Sequence, residues 1–422
     1  MKNKKPTIII QFNEANLDLI KEYTKKYNLT NFKKIFNYPT LINTTSETEY
    51  SNLEPWIQWY SFYTNMSFNE HLVFHLGDAQ KNNHKIFLEH KSNVGIFGSM
   101  NIPKLNSFKI FIPDAWSESQ PDKSISSRIV TSTLSQIVND NSKLKISINN
   151  LLGLFILIGI PRNYFDMKMI SVSFINIIKK SRSHLAALFD YFFLKYAMNR
   201  TLSNKLDVSM IFLNGFAHVQ HHHYLDSEFI DGKNPSWYSQ KKDHIKVALN
   251  IYDNMFGNLI KRVEKTHNIW IITGLTQSPC KNPLFYWRLD NHKKTLKNFF
   301  DFDFNIFPRM TRDFEIEVKS DEDKIIILDF LNNSSVIDLN GNHQAFGDID
   351  DKPNKRIFCS LVYDGNGVKS ELIYKNKKIF LQDQINFIAI KNGIHDSKGW
   401  AICNNVNNLK SSIPIWELSK II

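Results

Sequence analysis

Three short, continuous apolar runs constrain this chain more than any other feature: Thr7–Phe12 (TIIIQF), Val208–Leu213 (VSMIFL) and Asn268–Thr273 (NIWIIT). A strand with one wet face alternates apolar and polar residues, whereas a strand buried on both faces does not, so these runs read as strands of a parallel sheet. Each leads into a polar turn or a helical pattern. Leu17, Ile20, Tyr23 and Tyr27 follow the first run at helical spacing, and residues 240–265 carry Ile245, Leu249, Tyr252, Phe256 and Ile260 before the third. Strand, helix, strand in this order implies a doubly wound sheet with helices on both faces. Residues 93–97 (NVGIF) form a further strand candidate, and residues 125–200 read mainly as helices covering the sheet.

Past residue 300 the texture changes, with β-rich segments FEIEV, IFCSLVYD, SELIYKN and INFIAI and with turn signals at Asp364-Gly365 and Asn392-Gly393. The expectation is a three-layer α/β/α fold with a mainly parallel sheet and a β-rich C-terminal extension. Residues 1–300 would form the core with a helical insertion at about 125–200, and residues 301–422 would complete the core and carry the extension. At 422 residues the chain is long enough for a large core.

Charge and cysteine content exclude several classes. Lys and Arg number 52 against 41 Asp and Glu, a formal net charge of +11, but the lysines are scattered among Asn and Ile rather than gathered in a stripe. No nucleic-acid partner is therefore expected. Cys280, Cys359 and Cys403 stand far apart with no C-x-x-C pair, which points to neither a disulfide framework nor a cysteine zinc site. The N-terminal apolar run is too short for a signal-peptide core, so a cytoplasmic location is expected. The longest apolar run, residues 151–160 (LLGLFILIGI), falls short of the roughly 20 residues that span a bilayer. It reads as a buried helix or, in a sharper reading, as an anchor to a membrane surface extended by FDYFFLKYAM near 189–198.

Open α/β sheets bind ligands beyond the carboxyl ends of their strands. Those positions are polar here: Gln11, Asn13, Glu14 and Asn16 after the first run; Asn214, His218, Gln220, His221, His222 and His223 after the second; Thr276, Gln277 and Ser278 after the third. The segment LNGFAHVQHHHYLD is the most informative. On a helix, His218 and either His221 or His222 lie on one face, where two imidazoles could reach one metal ion. The alternative is a helix end whose histidines cap carbonyls and pack their rings. In residues 46–65, Pro55 takes the first position of a helix whose Trp56, Trp59, Tyr60 and Tyr63 form an apolar stripe, leaving Ser51 and Glu54 at its N-terminus, where anions are favoured.

This layout resembles the alkaline phosphatase-like superfamily, most closely its type I phosphodiesterase/nucleotide pyrophosphatase branch. PWIQWYSFYTN is similar to the branch's P-x-W-x-S-x-x-T-G, Asn214-x-x-x-His218 to its D-x-x-x-H, and HVQHHHY to its R-V-Q-H-x-x-W. GNHQAFG and NGIHDSKGW are similar to its G-x-H-x-x-x-G, so the late histidine is His343 or His395, with His395 preferred. The motifs are altered: Glu54, Pro55 or Trp56 stands near the hydroxyl nucleophile's place. IITGLTQ puts Gly274 and Leu275 where the family has metal-binding Asp and His.

The resemblance implies a hydrolase of phosphate monoesters or diesters, or of related sulfate esters, on a small-molecule, nucleotide or glycan substrate. Metal positions would fall among Asn13, Glu14, Asn214, His218, His221, His343 and His395, holding one divalent ion, zinc or manganese. Glu14, His218, His221 and His395 are the expected set, with Glu54 or Ser51 acting beside it. Gln277, Arg309 and Arg312 would contact substrate, although arginines next to Asp313 and Glu315 also suit structural ion pairs. The competing expectation is a non-catalytic scaffold that binds a saccharide or anion, with Trp56, Trp59, Tyr60 and Trp116 as stacking surfaces.

Overall fold

The computed structural model describes residues 5–117, 119–139, 148–159, 164–178, 182–231, 242–309, 311–365, 367–405 and 411–422. It divides into two compact units, one built from Met1–Gln136, Ile146–Lys281 and Asn392–Ile422, the other mainly from Asn282–Lys391.

The first unit is an α/β sandwich. Its strands are β1 (Thr7–Phe12), β2 (Thr40–Thr45), β3 (Val94–Phe97), β4 (Phe108–Ile112), β5 (Val208–Leu213), β6 (Asn268–Thr273) and the segments Lys398–Cys403 and Ser412–Pro414. Its larger helices are α1 (Leu17–Tyr27), α2 (Thr30–Phe36), α3 (Pro55–Thr64), α4 (Phe68–His71), α5 (Ile125–Asn139), α6 (Ile148–Ile158), α7 (Tyr164–Ile178), α8 (Arg182–Asn204), α9 (Gly215–His223) and α10 (His244–Val263). The sheet order is Ser412–Pro414, β2, Lys398–Cys403, β6, β1, β5, β3, β4. Strands β6, β1, β5, β3 and β4 run parallel, and Lys398–Cys403 runs antiparallel between β2 and β6.

The three runs predicted as doubly buried strands are β1, β5 and β6, with the same bounds. Every residue of β1 is buried. Ile8, Ile10 and Phe12 enter the core that α1, α8 and α10 cover, while Ile9 enters the opposite core with Trp59 and Tyr60 of α3. The period of two thus supplies apolar side chains to both layers. The long predicted helix is α10, which begins where the Asp243 side chain accepts the Lys246 N–H at 2.8 Å. Residues 240 and 241 lie outside the described residues.

The antiparallel strand sets the site. Because Lys398–Cys403 opposes β2 and β6, its entry lies at the edge where β1, β2, β5 and β6 end. Residues after four strands and residues before a fifth therefore share one edge of the sheet.

The second unit is β-rich. One antiparallel sheet orders Phe346–Lys352, Arg356–Leu361, Asp313–Val318 and Phe304–Pro308; another orders Gly341–Gln344, Ser335–Asp338, Glu371–Tyr374 and Lys377–Phe380. Helix Asp321–Asn333 contributes Ile327, Phe330 and Leu331 to a core of its own. Asn392-Gly393, predicted as a turn, instead lies inside the strand Ile385–Asp396. The glycine answers a close approach: a Cβ on Gly393 would meet Gln277 Oε1 at 2.0 Å.

Candidate metal centre

Glu14 is the centre of the arrangement. It follows β1 with φ of 54°, a left-handed backbone that a side chain of this size adopts only when neighbours hold it. Gln220 holds it: its Nε2 donates to the Glu14 carbonyl at 2.8 Å, and its Oε1 accepts the Asn16 N–H at 3.1 Å. The turn aims a carboxylate that is 3% exposed across the strand ends.

Two imidazoles meet that carboxylate. His221 Nε2 lies 2.8 Å from Glu14 Oε2, and His395 Nε2 lies 3.3 Å from the same oxygen. One donor atom from each of Glu14, His221 and His395 lies within 4.8 Å of the others. His395 comes from the chain just before the antiparallel strand, and its Nδ1 faces Glu54 Oε2 at 3.7 Å. Burial alone would raise the Glu14 pKa, but the charges and hydrogen bonds of His221 and His395 outweigh it and hold the carboxyl well below its ordinary value. An ionised carboxylate with two converging imidazole nitrogens is a donor set suited to one divalent cation, and a carboxylate behind the outer nitrogen of His395 suits a metal-ligating histidine.

The remaining polar groups orient Glu14. Asn13 Nδ2 donates to Glu14 Oε1 at 2.9 Å and to Asn214 Oδ1 at 2.8 Å, while its Oδ1 accepts Trp59 Nε1–H at 2.8 Å. Gln277 Nε2 donates to Glu14 Oε2 at 2.5 Å and to the Ala217 carbonyl at 3.2 Å. Gln277 is fully buried, so it holds the carboxylate where a substrate contact was expected.

Helix α9 starts directly after β5, and its histidines diverge. His221 turns to Glu14, whereas the His218 ring packs edge-on against His222 at 4.2 Å between centroids, so His218 is outside the donor group. His223 Nδ1 lies 3.0 Å from Asp226 Oδ2, and its ring stacks on His244 at 3.9 Å and 18°. Donor atoms of His223, Asp226 and His244 also lie within 4.8 Å of one another, but near-parallel rings do not converge their nitrogens on one ion. The helix entry depends on Gly215, where a Cβ would meet the Ala186 carbonyl oxygen at 2.5 Å. Asp190 of α8 accepts the Gly215 N–H at 2.8 Å and the Tyr252 hydroxyl at 2.6 Å.

Ser51 is exposed in the short turn Tyr50–Asn52, and Glu54 is the N-cap residue of α3. The expected anion cradle there is reduced: Pro55 has no N–H, and the Ile57 and Gln58 N–H groups donate to the Glu54 carbonyl at 3.0 and 3.2 Å. Beyond β6, Gly274 and Leu275 offer no side-chain donor, and Leu275 is buried. The stacking surfaces expected of Trp59 and Tyr60 are closed, since both are fully buried in the core.

His343, Arg309 and Arg312 belong to the second unit, where each has a local partner. His343 Nε2 lies 3.1 Å from Asp338 Oδ1 and its Nδ1 3.4 Å from Asp364 Oδ1. Arg309 Nη2 donates to Glu315 Oε2 at 3.0 Å, and the Arg312 guanidinium lies 4.5 Å over the Tyr286 ring. Sequence reasoning missed two supports. Gln220 is legible in the sequence as a polar residue within HVQHHHY but not as the clamp on Glu14, and Asp190 is legible there as a lone acid in FDYFFLKYAM.

No family model and no curated protein matches the chain. Among solved structures it is similar to phosphonoacetate hydrolase from Sinorhizobium meliloti 1021, at 10% identity and a TM-score of 0.44 over 99% of this chain and 94% of that one. It is similar to human ectonucleotide pyrophosphatase/phosphodiesterase 5, at 12% identity and a TM-score of 0.39 over 99% of this chain and 93% of that one. A variant of the alkaline phosphatase PafA aligns at 11% identity and a TM-score of 0.41 over 98% and 93% of the respective chains.

Proposed function

We propose that the chain is a hydrolase of phosphate or related esters that works with one divalent cation held by Glu14, His221 and His395. The observation that carries the reading is the convergence of those three donors, within 4.8 Å, at the edge where the strands end. The motif resemblance supports the substrate class. A cation bound there would act as a Lewis acid on an ester oxygen.

The chain's own residues supply the rest. Asn13, Gln220 and Gln277 fix the Glu14 carboxylate. Glu54 orients His395 through Nδ1 and, with a third of its side chain exposed, takes the proton from a water whose oxygen bonds to the phosphorus or sulfur as the ester's bond to its alcohol oxygen breaks, and that proton passes on to the leaving alcohol. Only one cation is proposed, because Gly274 and Leu275 cannot complete a second site.

A second reading, a scaffold that binds an anionic or saccharide ligand without turnover, is favoured by one feature: Glu54 and Pro55 stand where a hydroxyl nucleophile would. Turnover separates the two. Chromogenic phosphomonoester, phosphodiester and sulfate substrates should be assayed with zinc, manganese and magnesium. The hydrolase reading expects activity with at least one pair and its loss in His221→Ala; metal binding without turnover leaves the scaffold.

A further inference from the structure

Helices α6 and α7 present apolar side chains on both faces. Both pack on α8, which itself packs on β5. Their inner faces are anchored, with Leu157 at 2% and Met169 at 5% exposure inside the core. The outer faces are apolar too: Leu152 and Phe155 of α6 are 51% and 69% exposed, and Met167 and Ile175 of α7 are 52% and 49% exposed. Leu152 and Phe155 are three residues apart, and Met167 and Ile175 share a face of α7 with exposed Lys168 and Ser171. A helix on a water-facing surface ordinarily carries charge there.

Charge is nearly absent from these helices. No residue of α6 carries a charge at neutral pH, and the charged residues of α7 are Asp166 and Lys168. Asp166 is buried and paired with Lys195 Nζ at 2.8 Å, so the exposed charge of α7 is positive. In sequence, Lys143, Lys145, Arg162, Lys179, Lys180 and Arg182 flank the two helices, against Asp140 as the one further acidic residue between 140 and 182.

We propose that α6 and α7 lie on a lipid surface bearing anionic headgroups, with Leu152, Phe155, Met167 and Ile175 at the acyl boundary. Exposed apolar side chains mark contact surfaces, and basic residues that adjoin these helices in the sequence, with exposed Lys168 on α7, match anionic headgroups while opposing a second, equally basic copy of the chain. Long basic side chains reach headgroups with their stems along apolar surface. The 11 residues of α6 extend only about 16 Å. No described helix is long and apolar enough to cross a membrane, so the contact is in-plane.

The test is co-sedimentation of the full chain with vesicles of phosphatidylcholine alone and of phosphatidylcholine mixed with phosphatidylglycerol. Anionic vesicles should retain the chain at least about tenfold better at low salt, with the difference shrinking as salt rises. The pair Leu152→Glu and Phe155→Glu, both at exposed positions, should reduce retention by about tenfold or more with an unchanged melting temperature. Met167→Glu with Ile175→Glu is an independent pair with the same expectation. Equal retention on both vesicle types, no retention on either, or unchanged retention in folded variants overturns the proposal. So does self-association on gel filtration that these variants abolish without any vesicle binding.

Discussion

The Nε2 of His395 lies 3.3 Å from Glu14 Oε2, although one residue follows the first strand and the other precedes an antiparallel strand near the chain's far end. The sheet makes this meeting unavoidable. A strand that runs antiparallel to β6 must enter at the edge where β1 and β6 finish, so the residues just before it face the residues just after them. The site is therefore a property of strand direction as much as of the side chains themselves.

Glu54 should act through His395. Replacing it with Gln keeps the shape but removes the charge behind Nδ1, and cation affinity should fall by about ten- to a hundredfold, as is typical when a partner behind a ligating histidine is lost. Competition titration against a fluorescent chelator reads the change. Affinity unaltered in Glu54→Gln would show that the 3.7 Å approach does not orient the ring.

The core strands were legible because burial on both faces writes continuous apolar runs, and the polar residues behind them marked the binding edge. Helical periodicity puts His218 and His221 in one ligand set, since i, i+3 neighbours share a face, but a shared face does not fix ring direction: His221 meets Glu14, while the His218 ring packs on His222. His343 and His395 sat in similar local patterns; the sequence favoured His395, and topology separates the two, a hairpin position from the entry of an antiparallel strand. Gln277 was visible as a polar residue beyond β6, but its direction was not. The short runs that become β2 and Lys398–Cys403 gave no strand signal of their own, which hid the edge shared by five segments.

Gly393→Ala should loosen the carboxylate without touching a cation donor. Its Cβ would meet Gln277 Oε1 at 2.0 Å, and Gln277 Nε2 is bonded to Glu14 Oε2. Overpacking of this kind costs about 1–3 kcal/mol. Chemical denaturation should report that loss, and cation affinity should weaken with it; wild-type values for both would mean that Gln277 moves freely.

Asp190 gives the stability a pH dependence. Burial pushes its carboxyl up to about 7, against hydrogen bonds from Tyr252 and Gly215 that lower it. An unfolded aspartate titrates near about 3.9. Between those values the native state binds more protons than the unfolded chain, so this group's contribution is complete below about pH 4 and lost as the pH rises through about 7. The loss is on the order of a few kcal/mol. Denaturation across this window should show a steeper fall for wild type than for Asp190→Asn; parallel curves would refute the shift.

Lys195→Met should leave Asp166 as an uncompensated charge beneath α7, because Lys195 Nζ is its ion-pair partner at 2.8 Å and both side chains are almost wholly buried. Removing one partner of such a pair costs about 3–5 kcal/mol. Thermal unfolding measures it, and Asp166→Asn combined with Lys195→Met should recover most of the loss.

Whether Glu14, His221 and His395 hold one ion is read from the divalent cation content of the purified chain by mass spectrometry, followed by zinc and manganese titration of the stripped protein. One tightly bound ion per chain, lost in His221→Ala and in His395→Ala while both variants stay folded, is the predicted result. Absence of any ion together with no uptake on titration, or full occupancy in both histidine variants, would contradict it.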